Sequence, residues 1–184
     1  MRGSRTAAAV FLFGLGYATM RGATPAQPTT DYYEGTSTAL LPTGRSVPNG
    51  VILARRTVDP SVGTIVEQVV SDDHRRPPAE HVIEMRVQGS SFTMRMDGSS
   101  LGVGTLDGDP WRWRAWRSTS RLPGGLRVES VDTLSGGVLV AHKTIFGADG
   151  AVMLRTTEQM SPISAARFSE RRTELLRAGG PRSR

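Results

Sequence analysis

Turn signals recur so often along this chain that no helix able to cross over a sheet fits between them. Asn49-Gly50, Gly89-Ser90, Asp97-Gly98, Gly108-Asp109-Pro110, Pro123-Gly124-Gly125, Ser135-Gly136-Gly137 and Asp149-Gly150 each offer a residue tolerant of positive φ, or a proline that presets a bend. Between them lie short runs rich in β-branched and aromatic residues. These are Tyr32 to Leu40, Val51 to Val58, Thr64 to Val70, His81 to Gln88, Phe92 to Met96, Leu101 to Leu106, Trp111 to Ser118, Leu126 to Thr133, Val138 to Phe146 and Ala151 to Glu158. Parallel neighbours need a crossover of about a dozen residues or more, so the sheet is expected to be an antiparallel up-and-down meander. Its one long polar break, Ser71 to Glu80, contains Asp72-Asp73-His74-Arg75-Arg76-Pro77-Pro78 and reads as a loop.

Alternation is clearest mid-chain. Ile83, Met85 and Val87 share a face against Glu84, Arg86 and Gln88, and Phe92, Met94 and Met96 repeat the pattern against Thr93, Arg95 and Asp97. In Trp111 to Arg117 the apolar face switches, which suggests a bulge or two covered faces. After Met160 the period changes. Ser161-Pro162 reads as an N-cap with proline at the first helical position, and Phe168, Leu175 and Leu176 form a stripe on a helix expected over 162–177. Ala178-Gly179-Gly180-Pro181 ends it, leaving a basic tail over 179–184 that is expected to be disordered.

A meander leaves two edges bare unless it closes. The expected fold class is therefore mostly β: a barrel of about eight to ten strands with one C-terminal α-helix, forming a single domain over 32–178. In topology, from Tyr32 to Arg177, this resembles the lipocalin and fatty-acid-binding (calycin) group of small barrels, with a first strand reading Tyr32-Tyr33-Glu34-Gly35. That resemblance implies a hydrophobic ligand held in the barrel mouth.

The chain ends carry a different message. Arg2 and Arg5 precede an apolar run from Thr6 to Met20 and a small-residue site at Thr24-Pro25-Ala26, the pattern of a secretory signal over 1–26 with cleavage near Ala26. Gly14 and Gly16 weaken the run as a permanent anchor, so no stable membrane span is expected, and 27–31 reads as a spacer. The expected location is periplasmic or secreted. A net charge of +6 would suggest nucleic acid as a partner, but the excess sits at Arg2, Arg5, Arg21, Arg177, Arg182 and Arg184, leaving the segment between them neutral. Nucleic-acid binding is not expected. With no cysteine in the chain, disulfides, thiolate nucleophiles and thiolate metal sites are excluded.

Catalytic and metal signatures are sparse. His74, His81 and His142 are scattered, no Gly-x-Ser-x-Gly elbow occurs, and Gly102-x-Gly104 is not followed by a helix N-terminus that could hold phosphate. No metal, catalytic residue or cofactor is expected. Glu67, Glu84, Glu129, Asp132 and Glu158 fall on expected strands, where Arg86, Arg127 and Arg155 could pair with them across the sheet. The most suggestive set is aromatic and thioether: Met85, Phe92, Met94, Met96, Trp111 and Trp113 could wall a ligand pocket. Arg112 and Arg114 could neutralise a ligand carboxylate, and Glu129 could face the cavity.

The expected function is thus an exported binding protein for a small hydrophobic or amphiphilic molecule. Two alternatives stay open: a structural or interaction protein with a filled barrel, and a cyclase or isomerase-type enzyme in which a shaped pocket positions a reactive substrate. The sequence names no partner protein.

Overall fold

An Asp-Gly pair can turn a strand back on its neighbour because both residues accept positive φ. Asp97 (φ 51°) and Gly98 (φ 80°) do this in one such hairpin. Repeated reversals carry the chain around a ring. In the computed structural model, which describes residues 27–41, 43–73, 77–108, 111 and 115–178, the ring has ten antiparallel strands. They are β1 (Thr29–Leu40), β2 (Ser46–Asp59), β3 (Thr64–Asp72), β4 (Ala79–Gln88), β5 (Ser91–Met96), β6 (Ser99–Gly108), β7 (Ala115–Arg121), β8 (Arg127–Ser135), β9 (Val138–Phe146) and β10 (Val152–Pro162), followed by the helix α1 (Ala165–Ala178). Each strand pairs with its sequence neighbour. β10 returns to pair with β1 from Tyr33 opposite Pro162 to Leu40 opposite Arg155, which closes the barrel and leaves no free edge.

Several boundaries differ from the sequence expectation. β6 runs on to Gly108, which pairs with Trp116, and β7 is described from Ala115; Trp111 stands in a turn, and residues 112–114 of the expected strand lie outside the described residues. Ser161 and Pro162 do not start the helix. They finish β10 opposite Glu34 and Tyr33, a strand-end position that suits proline. The helix cap is Ser164, whose Oγ accepts the Arg167 backbone N–H at 3.1 Å. β1 starts at Thr29, inside the stretch read as a spacer, and β3 reaches Asp72, inside the expected polar break. The expected signal over 1–26 and the tail over 179–184 lie outside the described residues.

Strand alternation sorts the apolar residues into two cores. Ile52, Ala54 and Val58 of β2 point inward with Tyr33, Ile65, Met85, Phe92, Leu106, Leu139 and Met160. Leu53 and Val70 point outward, yet are fully buried, because α1 lays Phe168 and Leu175 over them. Burying side chains of this size stabilises by about 1.5–3 kcal/mol each, so the helix is a structural lid on the outer face of β1 to β3. Close packing also explains Gly102 and Gly104. A Cβ on Gly104 would meet the Thr119 carbonyl oxygen at 2.3 Å and the Phe92 ring at 2.4 Å, and one on Gly102 the Arg121 carbonyl oxygen at 2.0 Å. The Gly-x-Gly spacing therefore lets β7 and an inward ring approach β6.

Candidate functional site

Period-two alternation does not keep the barrel interior dry. The face of β2 that sends Ile52 and Ala54 inward also sends in Arg56, and Glu67 follows Ile65 into the lumen from β3. β8 contributes Ser130 and Asp132, β9 contributes Ala141 and Lys143, and β10 contributes Glu158 and Met160. The register brings these together. Arg56 stands directly opposite Glu67, while Ala141 is flanked by Asp132 on one side and Glu158 on the other.

The result is a barrel with two kinds of wall. One arc, from β8 round to β3, carries the ionic groups; the other carries Ile83, Met85, Phe92, Met94 and Leu101 from β4 to β6. Between them the interior is hollow. One void of about 370 Å³ lies toward β1, β2 and β3, and one of about 310 Å³ extends toward β4 to β9. Arg56, Glu67, Lys143 and Glu158 line both, so the ionic belt sits where the two spaces meet.

Within the belt, Arg56 Nη1 donates to Glu67 Oε1 at 2.7 Å. Lys143 Nζ lies 2.8 Å and 2.7 Å from the two Glu158 carboxylate oxygens. The Arg56 side chain is only 3% exposed, and burial pulls its pKa down to about 10 even though Glu67 favours the charged form. For Lys143 burial acts in the same sense, but Glu158, assisted by Asp132 and Glu67, outweighs it and raises the pKa. Asp132 is the odd carboxylate. It accepts a hydrogen bond from Ser130 Oγ at 2.9 Å, and no ion pair joins it to another described residue. Burial pushes its pKa up to about 6 against the opposing pull of Ser130 and Lys143.

Of the residues singled out from sequence, Met85 and Met94 line the void of about 310 Å³, Phe92 is buried in the inner core, and Trp111 packs against that core from a turn. Met96 is half-buried at the end of β5. Arg112, Trp113 and Arg114 lie outside the described residues. Glu129 is placed on the outer face of β8, paired with Arg127 rather than facing the cavity, because Ser130 and Asp132 hold the inward positions of that strand. Glu84 pairs with Arg86 and Glu129 with Arg127, but in each case along a single strand rather than across the sheet as expected. Glu67 and Glu158 instead pair inside the lumen, with Arg56 and Lys143. One sequence signal marks this belt: Lys143 is the chain's only lysine and occupies the apolar parity of Leu139, Ala141 and Ile145.

His81 and His142 lie elsewhere, His81 bonded through Nδ1 to Asp97 Oδ2 at 2.8 Å and His142 through Nδ1 to Thr157 Oγ1 at 3.0 Å. Among the described residues no group of three or more His, Asp or Glu side chains could hold a metal ion, and no helix is long and apolar enough to cross a membrane. The fold defines the chain as a closed ten-strand antiparallel barrel with a C-terminal helix. Compared with known proteins, it matches no family model, no curated protein and no solved structure.

Proposed function

We propose that the protein is a binding protein that takes a small hydrophobic or amphiphilic molecule into the barrel lumen, in the manner of the calycin-like barrels with which its fold is compatible. The observation that carries this reading is the hollow interior. Voids of about 370 Å³ and 310 Å³ are within the range that small-molecule pockets occupy, and their walls combine an apolar surface with a few convergent polar groups. The export-type pattern of residues 1–26 supports a place outside the cytoplasm, periplasmic or secreted.

A titration with an apolar fluorescent dye, followed by displacement with fatty acids and alcohols, tests the binding. Saturable uptake by the wild-type protein is expected. In Ala141→Phe, the added ring fills the lumen between Asp132 and Glu158, and uptake should fall sharply while the fold is retained. Equal uptake by the two proteins would place the dye outside the barrel and sink the reading. The location is checked separately by fractionating the source cells and measuring the N-terminus of the recovered protein.

A further inference from the structure

We infer that the molecule held in the lumen carries a protonated amine, which sits against Asp132 while its apolar body lies along the methionine and leucine wall of β4 to β6. The inference rests on the lumenal binding reading and specifies its ligand class.

The argument is one of charge and placement. Five ionic side chains line the void, and four of them are matched: Arg56 with Glu67 at 2.7 Å, and Lys143 with both Glu158 oxygens. The fifth, Asp132, has a hydroxyl partner in Ser130 and no cation of its own. An anionic head group entering this space would have to pull Arg56 or Lys143 from a carboxylate already holding it, or add a further negative charge beside Glu67, Asp132 and Glu158. Both cost free energy in a space of low dielectric. A cationic head instead supplies the one charge the belt lacks and makes a charge-assisted hydrogen bond. Ala141, opposite Asp132 in the register, leaves room beside that carboxylate. On the far wall, Ile83, Met85, Met94 and Leu101 offer adaptable apolar surface.

The charged groups that face Asp132 are Arg56 on β2, Glu67 on β3, Lys143 on β9 and Glu158 on β10, with Ser130 on its own strand and the hydroxyls of Ser118 and Ser120 lining the same space from β7. Asp132 is the member that titrates nearest neutrality, so amine binding should weaken on acidification while the ligand itself stays protonated.

The test is calorimetric titration of the purified protein with n-decylamine, n-decanol and decanoate, all below their aggregation concentrations. Decylamine should bind tightest. In Asp132→Asn its advantage over decanol should shrink by about ten- to hundredfold. On the wild-type protein, which guards against a variant that fails to fold, the same advantage should decline from pH 8 to pH 5. Tighter binding of decanoate or decanol, or an amine preference indifferent to both Asp132→Asn and pH, overturns the inference and leaves the binding reading standing. Absence of saturable binding by all three removes both.

Discussion

Arg172 of α1 grips the carboxylate of Glu80 on β4 with two nitrogens, Nε at 2.6 Å from Oε1 and Nη2 at 2.5 Å from Oε2. Gln68 of β3 donates to the same carboxylate, so helix and two strands meet at one side chain. The Arg172 hydrogen bonds are the main reason the Glu80 pKa is lowered. Together with the Phe168 ring, whose centroid lies 5.4 Å from that of Tyr32, this contact fixes the helix on the barrel wall.

Removing the helix's apolar anchor should therefore be costly. Phe168→Ala is expected to destabilise by about 3–5 kcal/mol, the range for emptying a buried aromatic site, measured by urea unfolding. Arg172→Gln should cost far less, because the pair is part-exposed and screened. Its cost should be present at neutral pH and vanish as pH falls through the lowered Glu80 pKa, since a carboxylate with a depressed folded-state pKa stabilises only while ionised.

Asp132 has the opposite sign. Its folded pKa, about 6, lies above the ordinary 3.8, so the folded state binds more protons and this group's contribution becomes less favourable as pH rises from about 4 to about 6. Asp132→Asn keeps an oxygen acceptor for Ser130 and removes the charge. The variant should match the wild type near pH 4 and exceed it by roughly 2–3 kcal/mol above pH 7, as read from urea midpoints across pH. A wild-type advantage at neutral pH would contradict the lumenal placement of this carboxylate.

Breaking the Arg56–Glu67 pair from one side leaves a carboxylate in the lumen without its guanidinium. Arg56→Met is expected to destabilise by about 3–5 kcal/mol, and the double variant Arg56→Met with Glu67→Leu to recover most of that loss. Thermal unfolding of the two variants decides the matter: a double variant as unstable as the single one would show that Arg56 contributes mainly through packing.

Gly35 sits on the seam where the barrel closes. A Cβ there would stand 1.9 Å from the Gln159 carbonyl oxygen and 2.6 Å from the Met160 Cα, both backbone atoms. Gly35→Ala should force β1 and β10 apart, lowering the thermal midpoint and raising amide exchange along both strands. Gly44→Ala serves as a contrast, since among the described residues no atom beyond its chain neighbours lies within 4 Å of its added Cβ and only the φ of +80° is strained.

The ring itself was legible because turn chemistry is local: Asp97-Gly98, Ser135-Gly136-Gly137 and their counterparts reveal where the chain reverses, whatever the strands contain. The ionic belt was not legible, for a physical reason. On β4, with Met85 inside and Arg86 outside, polarity states which face is inner. On β8 neither face is dry, with Val128, Ser130 and Asp132 inside and Arg127, Glu129 and Val131 outside, so alternation could not separate Asp132 from Glu129. The helix start was displaced because Ser161-Pro162 has the chemistry of a cap and the geometry of a strand end. Only the pairing with Tyr33 and Glu34 distinguishes the two.

Because Val152–Pro162 is the strand that locks onto Thr29–Leu40, assembly depends on a contact between the two extremes of the domain. Contacts of such sequence separation carry the largest chain-closure entropy and make for slow folding. Until synthesis has released residue 162, the preceding nine strands can form only an open ribbon, with the ionic belt incomplete and the outer strands available to other chains. The ring closes only where β10 meets β1, so the barrel wall is complete only once its last strand is in place.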